Sequence, residues 1–361
     1  MLFYYYIYKG FKRKIQEVFI DLTSESACKK KPKMFSAALD GAVLDLADKM
    51  CKFVRKSFCN TLFDVSKILT LDVPQNFSFR HTIHSHGWSD LSPFQLNAEN
   101  QTLSRVFTDE NGKNPVSAVI GEKDGKLRID VSGENFDEVK ITRDIRHCLR
   151  LDDDLSDFYK LVKKEKSIAW IADANAGRLL RSPTVYEDLV KTICTTNCSW
   201  SLTKKMVTNL VEKLGEPAAD GSIRAFPTPE AMANVSAEFY REEIRAGYRS
   251  PYFAELAEAV AVGKLNPESW LNSDLPTNEL KREMKKVKGV GNYAAENLLK
   301  LVGSYEGLAL DSWVRAQFYK KHNADVVCED RKIEDFYEKF GVWRGLALWC
   351  DMTEKWFDGI R

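Results

Sequence analysis

The chain has 361 residues, 44% of them apolar and 29% charged, which allows two ordinary domains with substantial cores and excludes a disordered or collagen-like chain. Its formal net charge of +1 excludes a generally polycationic protein, yet residues 1–60 hold 12 Lys and Arg against 6 Asp and Glu, and the remainder 41 against 46. Affinity for a polyanion in the main body must therefore come from local patches.

MLFYYYIY at the start is too short to cross a bilayer, and no small-residue cleavage site follows it, so neither a membrane segment nor a secretory leader is expected. Residues 1–62 read as a basic extension of unassigned role around CKKKPKM (28–34). That run is a solvated basic stretch that would suit nuclear import only in a eukaryote, so the expected location is the nucleus there and the cytoplasm in a bacterium. The eight cysteines are scattered, with no zinc or iron–sulfur spacing, which points to reduced thiols and no metal.

Residues 63–150 read as a small antiparallel β-domain. FSFRHTIHSHGW (77–88) alternates as a strand would, and SAVIGEKDGKLRIDVSG (117–133) is a hairpin turning at Asp124 and Gly125. His81, His84 and His86 are close in sequence, but with no carboxylate or fourth ligand in view they read as satisfied or surface histidines. From 151 to 361 the pattern is helical. Val185, Leu189, Val190 and Ile193 make one apolar face, Leu202, Met206 and Leu210 the next, and Phe253, Leu256 and Ala257 another. In the last helical stretch Trp349 and Trp356 share a face and read first as core, second as a surface on which bases stack. The fold class is thus α+β, a mostly helical domain preceded by a small antiparallel sheet.

The stretch KGVGNYAAENLL (288–299) carries the chemistry, with Asp311 twenty residues beyond Gly291. Its letters fit a dinucleotide-binding turn with an acidic residue for the ribose, but that needs a buried parallel strand before Gly289, and LKREMKKVK is a charged amphipathic helix. They also fit a helix-hairpin-helix over 277–303. Thr277 caps the first helix, Lys288, Gly289, Val290 and Gly291 make the turn, and Asn292 caps a second helix that stops at Gly303. Bare backbone N–H groups at a helix N-terminus bind phosphate, and Lys281, Arg282, Lys285, Lys286 and Lys288 nearby favour a nucleic-acid backbone.

VKGVGNYAAENLLKLVGSYEGLALDSWVR resembles the signature of the helix-hairpin-helix DNA glycosylase superfamily. GRLLRSPTVYEDLVKTICTTNCSWSLTKKMVTNLVEKLG (177–215) is similar to the helix pair around the DNA wedge in its 8-oxoguanine and 3-methyladenine branches, and AGYRSPYF (246–253) to their domain junction. The resemblance covers about residues 70–358. It implies a monomer that takes double-stranded DNA holding a damaged base, flips that base and hydrolyses its N-glycosidic bond without a cofactor. Asp311 is then the catalytic carboxylate, Lys288, Gly289, Val290 and Gly291 hold the DNA backbone, and Asn197 is the wedge. Tyr293 stands where bifunctional members carry a lysine, which implies a monofunctional enzyme without lyase activity. Leu348 stands where the oxidised-guanine enzymes read the base with an amide, which implies damaged purines, alkylated ones first and oxidised ones second. The alternatives are a hairpin protein that binds DNA without chemistry and a nucleotide-dependent oxidoreductase.

Overall fold

The computed structural model describes residues 66–133, 136–218, 221 and 224–357; MLFYYYIY, CKKKPKM and the rest of the basic extension lie outside the described residues. The described residues belong to one compact unit, 64–361.

The first layer is a five-stranded antiparallel sheet. It contains β1 (Ser66–Asp72), β2 (Gln95–Asn97), β3 (Thr102–Phe107), β4 (Val116–Lys123) and β5 (Lys126–Ser132), in the order β1-β5-β4-β3-β2. The β4–β5 hairpin turns at Asp124 and Gly125, both at positive φ (54° and 73°), with Lys123 paired to Lys126. That two-residue turn matches the twist of its strands. Val116, Ala118, Ile120, Leu127, Ile129 and Val131 alternate onto one buried face, and Ile68 and Val119 lie exposed on the other.

FSFRHTIHSHGW is not a strand. Phe79–Ile83 form helix α1, because the Ser78 hydroxyl accepts the His81 N–H at 3.3 Å as an N-cap and Phe79, Thr82 and Ile83 then bury one helical face. A 3₁₀ turn at Gly87–Asp90 follows.

The helical part holds α2 (Glu138–Cys148), α3 (Ser156–Val162), α4 (Trp170–Asp173), α5 (Val185–Thr195), α6 (Trp200–Leu214), α7 (Pro229–Ala233) and α8 (Ala237–Glu242). It continues through α9 (Ser250–Ala261), α10 (Thr277–Met284), α11 (Asn292–Leu301), α12 (Ser312–His322), α13 (Asp330–Tyr337) and α14 (Arg344–Thr353). Two cores result. One joins the inner sheet face to α2, α5, α6 and α9–α11, and the other joins α3 and α4 to α12–α14.

Sheet and helices are tied by a buried ion cluster. Arg105 of β3 donates to both Glu187 oxygens at 3.1 and 2.8 Å, and Lys191 Nζ stands 2.7 Å from Oε1. Burial alone would raise the Glu187 carboxyl, but the two cations pull it down to about 2. The depressed value means that its contribution is present above the ordinary glutamate range and is lost as pH falls toward 2. Glu187→Gln would leave two buried cations uncompensated, so urea unfolding at pH 7 should show a loss of about 3–5 kcal/mol; a loss below about 1 kcal/mol would mean that the cluster does not hold the layers together.

Candidate functional site

The hairpin is α10, a turn and α11. Gly289 sits at φ 89°, the left-handed region that an L side chain disfavours, and a Cβ there would stand 3.0 Å from the Tyr252 ring. Val290 is buried in the core between the two helices. Gly291 is extended at φ −86°, occupies the N-cap position and has open space around it.

Two capping expectations are corrected. Pro276, not Thr277, is the cap residue of α10, and the Thr277 hydroxyl pairs with Ser304 Oγ at 3.0 Å. Asn292 is the first residue of α11 rather than its cap, and its Oδ1 accepts from Lys285 Nζ at 2.7 Å. The dinucleotide reading fails as well. Helix α10 precedes Gly289, and every strand pairing in the described sheet is antiparallel.

The turn forms one wall of a groove of about 840 Å³, with Lys285, Lys286, Lys288, Gly289, Val290 and Gly291 facing Asn197 and Tyr248. Lys288 pairs with Glu255 at 2.5 Å, both half-exposed, a pairing that a phosphate can replace at little cost. Asn197 is exposed and left-handed at φ 47°, just past the end of α5, with Nδ2 3.4 Å from the Tyr248 hydroxyl. The bend it occupies is fixed from behind by buried Arg249, which donates to the Ile193 carbonyl at 3.1 Å and to the Thr196 carbonyl. A guanidinium on the last carbonyls of a helix also complements its dipole.

Next to the groove lies a cavity of about 650 Å³. Thr195, Cys198, Tyr293, Asp311 and Ser312 line both, so Asp311 stands where groove and cavity meet. Asp311 is the N-cap of α12, its Oδ1 accepting the Val314 N–H at 2.7 Å. Burial and the neighbouring Asp311 carboxylate push the Tyr293 hydroxyl up to about 12, so it stays protonated at neutral pH.

Five tryptophans line the cavity, Trp88, Trp200, Trp313, Trp349 and Trp356. Trp313 and Trp356 have ring centroids 5.4 Å apart, and Trp349 and Trp356 are edge to face at 5.7 Å. Trp349 Nε1 donates to the Ser85 carbonyl at 2.9 Å, which fixes its ring. Opposite, Trp88 Nε1 donates to buried Asp188 at 2.7 Å. Of the three histidines, His81 Nδ1 is 2.8 Å from Ser78 Oγ, and His86, lowered by burial to about 4, is neutral and donates from Nε2 to the Leu180 carbonyl. His84 lines the cavity, and burial lowers it too.

Leu348 is not at the cavity. It is fully buried in the second core, and Trp349, one position on and rotated about 100° around α14, takes the wall. The residue that sequence reasoning left nearly unused is Lys300. It lines the cavity, is 2% exposed, and has no protein partner for Nζ among the described residues. Burial lowers it to about 7, against which Glu296 and Asp311 raise it. At about 1.4 kcal/mol per pKa unit, keeping the ammonium there costs several kcal/mol. The signal was a lysine set inside the apolar run LLKLV.

No family model matches the sequence, and no curated protein does. Among solved structures, the chain is similar to a Clostridium acetobutylicum 8-oxoguanine glycosylase/lyase in complex with double-stranded DNA containing cytosine opposite 8-oxoguanine. That similarity has TM-score 0.63 and 23% identity, over 82% of this chain and 99% of that one. It is also similar to a 3-methyladenine DNA glycosylase from Archaeoglobus fulgidus, at TM-score 0.65 and 16% identity, over 80% and 99%. The chain has the fold of the helix-hairpin-helix DNA glycosylases. In this glycosylase fold the groove, Asp311 and the cavity all come from a single chain.

The two glycines of the turn differ in what they tolerate. Gly289→Ala should cost about 1–2 kcal/mol in urea unfolding because of its φ and the Tyr252 ring, and Gly291→Ala should stay within about 0.5 kcal/mol of wild type. Equal effects of the two would mean that the turn relaxes away from the left-handed geometry.

Proposed function

We propose that the chain is a DNA glycosylase that excises damaged purines by hydrolysis. The observation that carries this reading is the position of Asp311 at the junction of a groove lined by bare hairpin backbone and a cavity walled by indoles. A phosphate backbone in the groove would place the deoxyribose at the junction and an extruded base between the tryptophans, which can stack on any base face. Asn197, beside Tyr248 on the opposite groove wall, would fill the gap that the base leaves.

In the reaction the C1′–N bond breaks, and its electron pair leaves with the base. Positive character develops on the sugar, water bonds to C1′ as it gives a proton to the Asp311 carboxylate, and the departing base takes up a proton from solvent. Asp311 faces that charge, and the Val314 N–H holds the carboxylate in one orientation. A phenol at Tyr293 forms no Schiff base, which supports hydrolysis without strand cleavage. Leu348, in the place of the base-reading amide, puts alkylated purines first and oxidised ones second, but Leu348 itself is buried in the second core and does not line the cavity.

Asp311→Asn separates cap from catalyst. Asn caps helices as well as Asp does, so thermal unfolding should hardly change, whereas single-turnover excision should fall about a hundredfold or more and damaged-duplex binding should persist or tighten. Wild-type excision by the folded variant would reduce Asp311 to a cap and remove the enzyme reading. The product of the wild-type protein should be an intact strand bearing an abasic site, cleaved only by hot alkali. A borohydride-trapped protein–DNA adduct would overturn the monofunctional assignment.

A further inference from the structure

We infer, resting on the glycosylase reading above, that Lys300 reads the extruded base by donating from Nζ to an acceptor on its purine edge, so that the cavity takes neutral oxopurines in preference to N-alkylated purines that carry positive charge.

Position is the first ground. Tyr293, Asn297 and Lys300 lie on one face of α11 and all line the cavity, but only Tyr293 also lines the groove. The Lys300 Cα is seven residues further along the helix, about 10 Å of axial rise from that of Tyr293. An amine in that wall meets the space that the extruded base would occupy.

The second ground is hydrogen bonding. Along the helix the two Glu296 oxygens accept from Lys281 and from the Ala309 N–H, and Asn297 Nδ2 donates to the Tyr293 carbonyl. Lys300 Nζ is therefore a buried donor in the cavity wall without a hydrogen-bond partner among the described residues, and a base carbonyl supplies an acceptor. The lowered pKa leaves ammonium and amine both populated near neutrality, and each carries N–H donors.

Charge is the third. The indoles stack on any purine and also attract a cation, so the aromatic walls alone leave the substrate class open. The cavity carboxylates do not decide it either. Asp311 belongs to the sugar, and Asp90 is held near Trp200 Nε1 at 3.3 Å and Lys204 at 3.8 Å. Lys300 is the group that separates the two classes, attracting a carbonyl and repelling a cationic base.

The test compares wild type with Lys300→Met in single-turnover excision from duplexes carrying one 8-oxopurine or one 7-methylpurine. Wild type should prefer the oxopurine. The variant should lose about 10–100-fold on it, the worth of a charge-assisted hydrogen bond, and lose nothing on the methylpurine. Parallel loss on both substrates, or greater loss on the methylpurine, overturns the inference, as does a borohydride adduct that Lys300→Met abolishes. Binding to the same two bases as uncleavable 2′-fluoro nucleotides reads recognition apart from chemistry. An oxopurine preference that disappears in Lys300→Met supports Lys300 even if Asp311 proves inert, and equal affinities overturn it. Methionine fills the buried stem without its charge, so a melting temperature at or above that of wild type verifies the fold of the variant.

Discussion

Helix α11 buries Ala294, Ala295, Leu298 and Leu299 almost completely, and the geometry of the whole site follows from that burial. The two alanines carry no bulk beyond Cβ, which lets the backbone of α11 sit close to its neighbours in the first core. With that face fixed, the helix has no rotational freedom left. Its N-terminus and the Gly289–Gly291 turn must face the groove, and Tyr293, Asn297 and Lys300 must face the cavity. A turn of one residue, about 100°, would exchange leucines for polar groups at the cavity wall and put a lysine into the core. The same packing surface that stabilises the fold therefore sets the register of the site.

Asp311 is fixed in a comparable way. A carboxylate that accepts a backbone N–H at 2.7 Å is pre-oriented, so little reorganisation is needed when charge develops beside it. The cavity walls are stitched across the two parts of the fold by hydrogen bonds of the same kind, with Trp349 on the Ser85 carbonyl, His86 on the Leu180 carbonyl and Trp88 on Asp188. The segment after α1 thus serves as a wall of the cavity as well as a cover for the sheet.

The legible parts of the sequence were those whose geometry is local. Gly289 announced a turn because φ depends on a few neighbouring residues, and the Asp124–Gly125 hairpin was legible for the same reason. FSFRHTIHSHGW misled because apolar alternation over a few residues also fits one helical turn, and the competing signal was a single serine hydroxyl. Leu348 misled because the register of α14 against the cavity is settled by tertiary packing, and one position is enough to exchange a core leucine for a wall tryptophan. The pairing of Arg105 with Glu187 and Lys191, across 82 residues of sequence, left no local trace at all.

Buried cations elsewhere in the molecule show how the fold treats such groups when stability is the only demand on them. Arg105 and Lys191 share a carboxylate. Arg150 and Arg181 reach the C-terminal end of α11, where Arg150 donates to the Leu301 and Lys300 carbonyls at 2.9 and 3.1 Å and Arg181 to Leu301 at 3.1 Å. Those guanidiniums satisfy orphan carbonyls and sit at the favourable end of the helix dipole. The Lys300 side chain leaves from that same helical turn, yet its amine is given no carbonyl or carboxylate among the described residues. A leucine at 300 would fill the same apolar run without burying an amine. The Lys300 donor lies in the cavity wall, where an entering ligand can complete it.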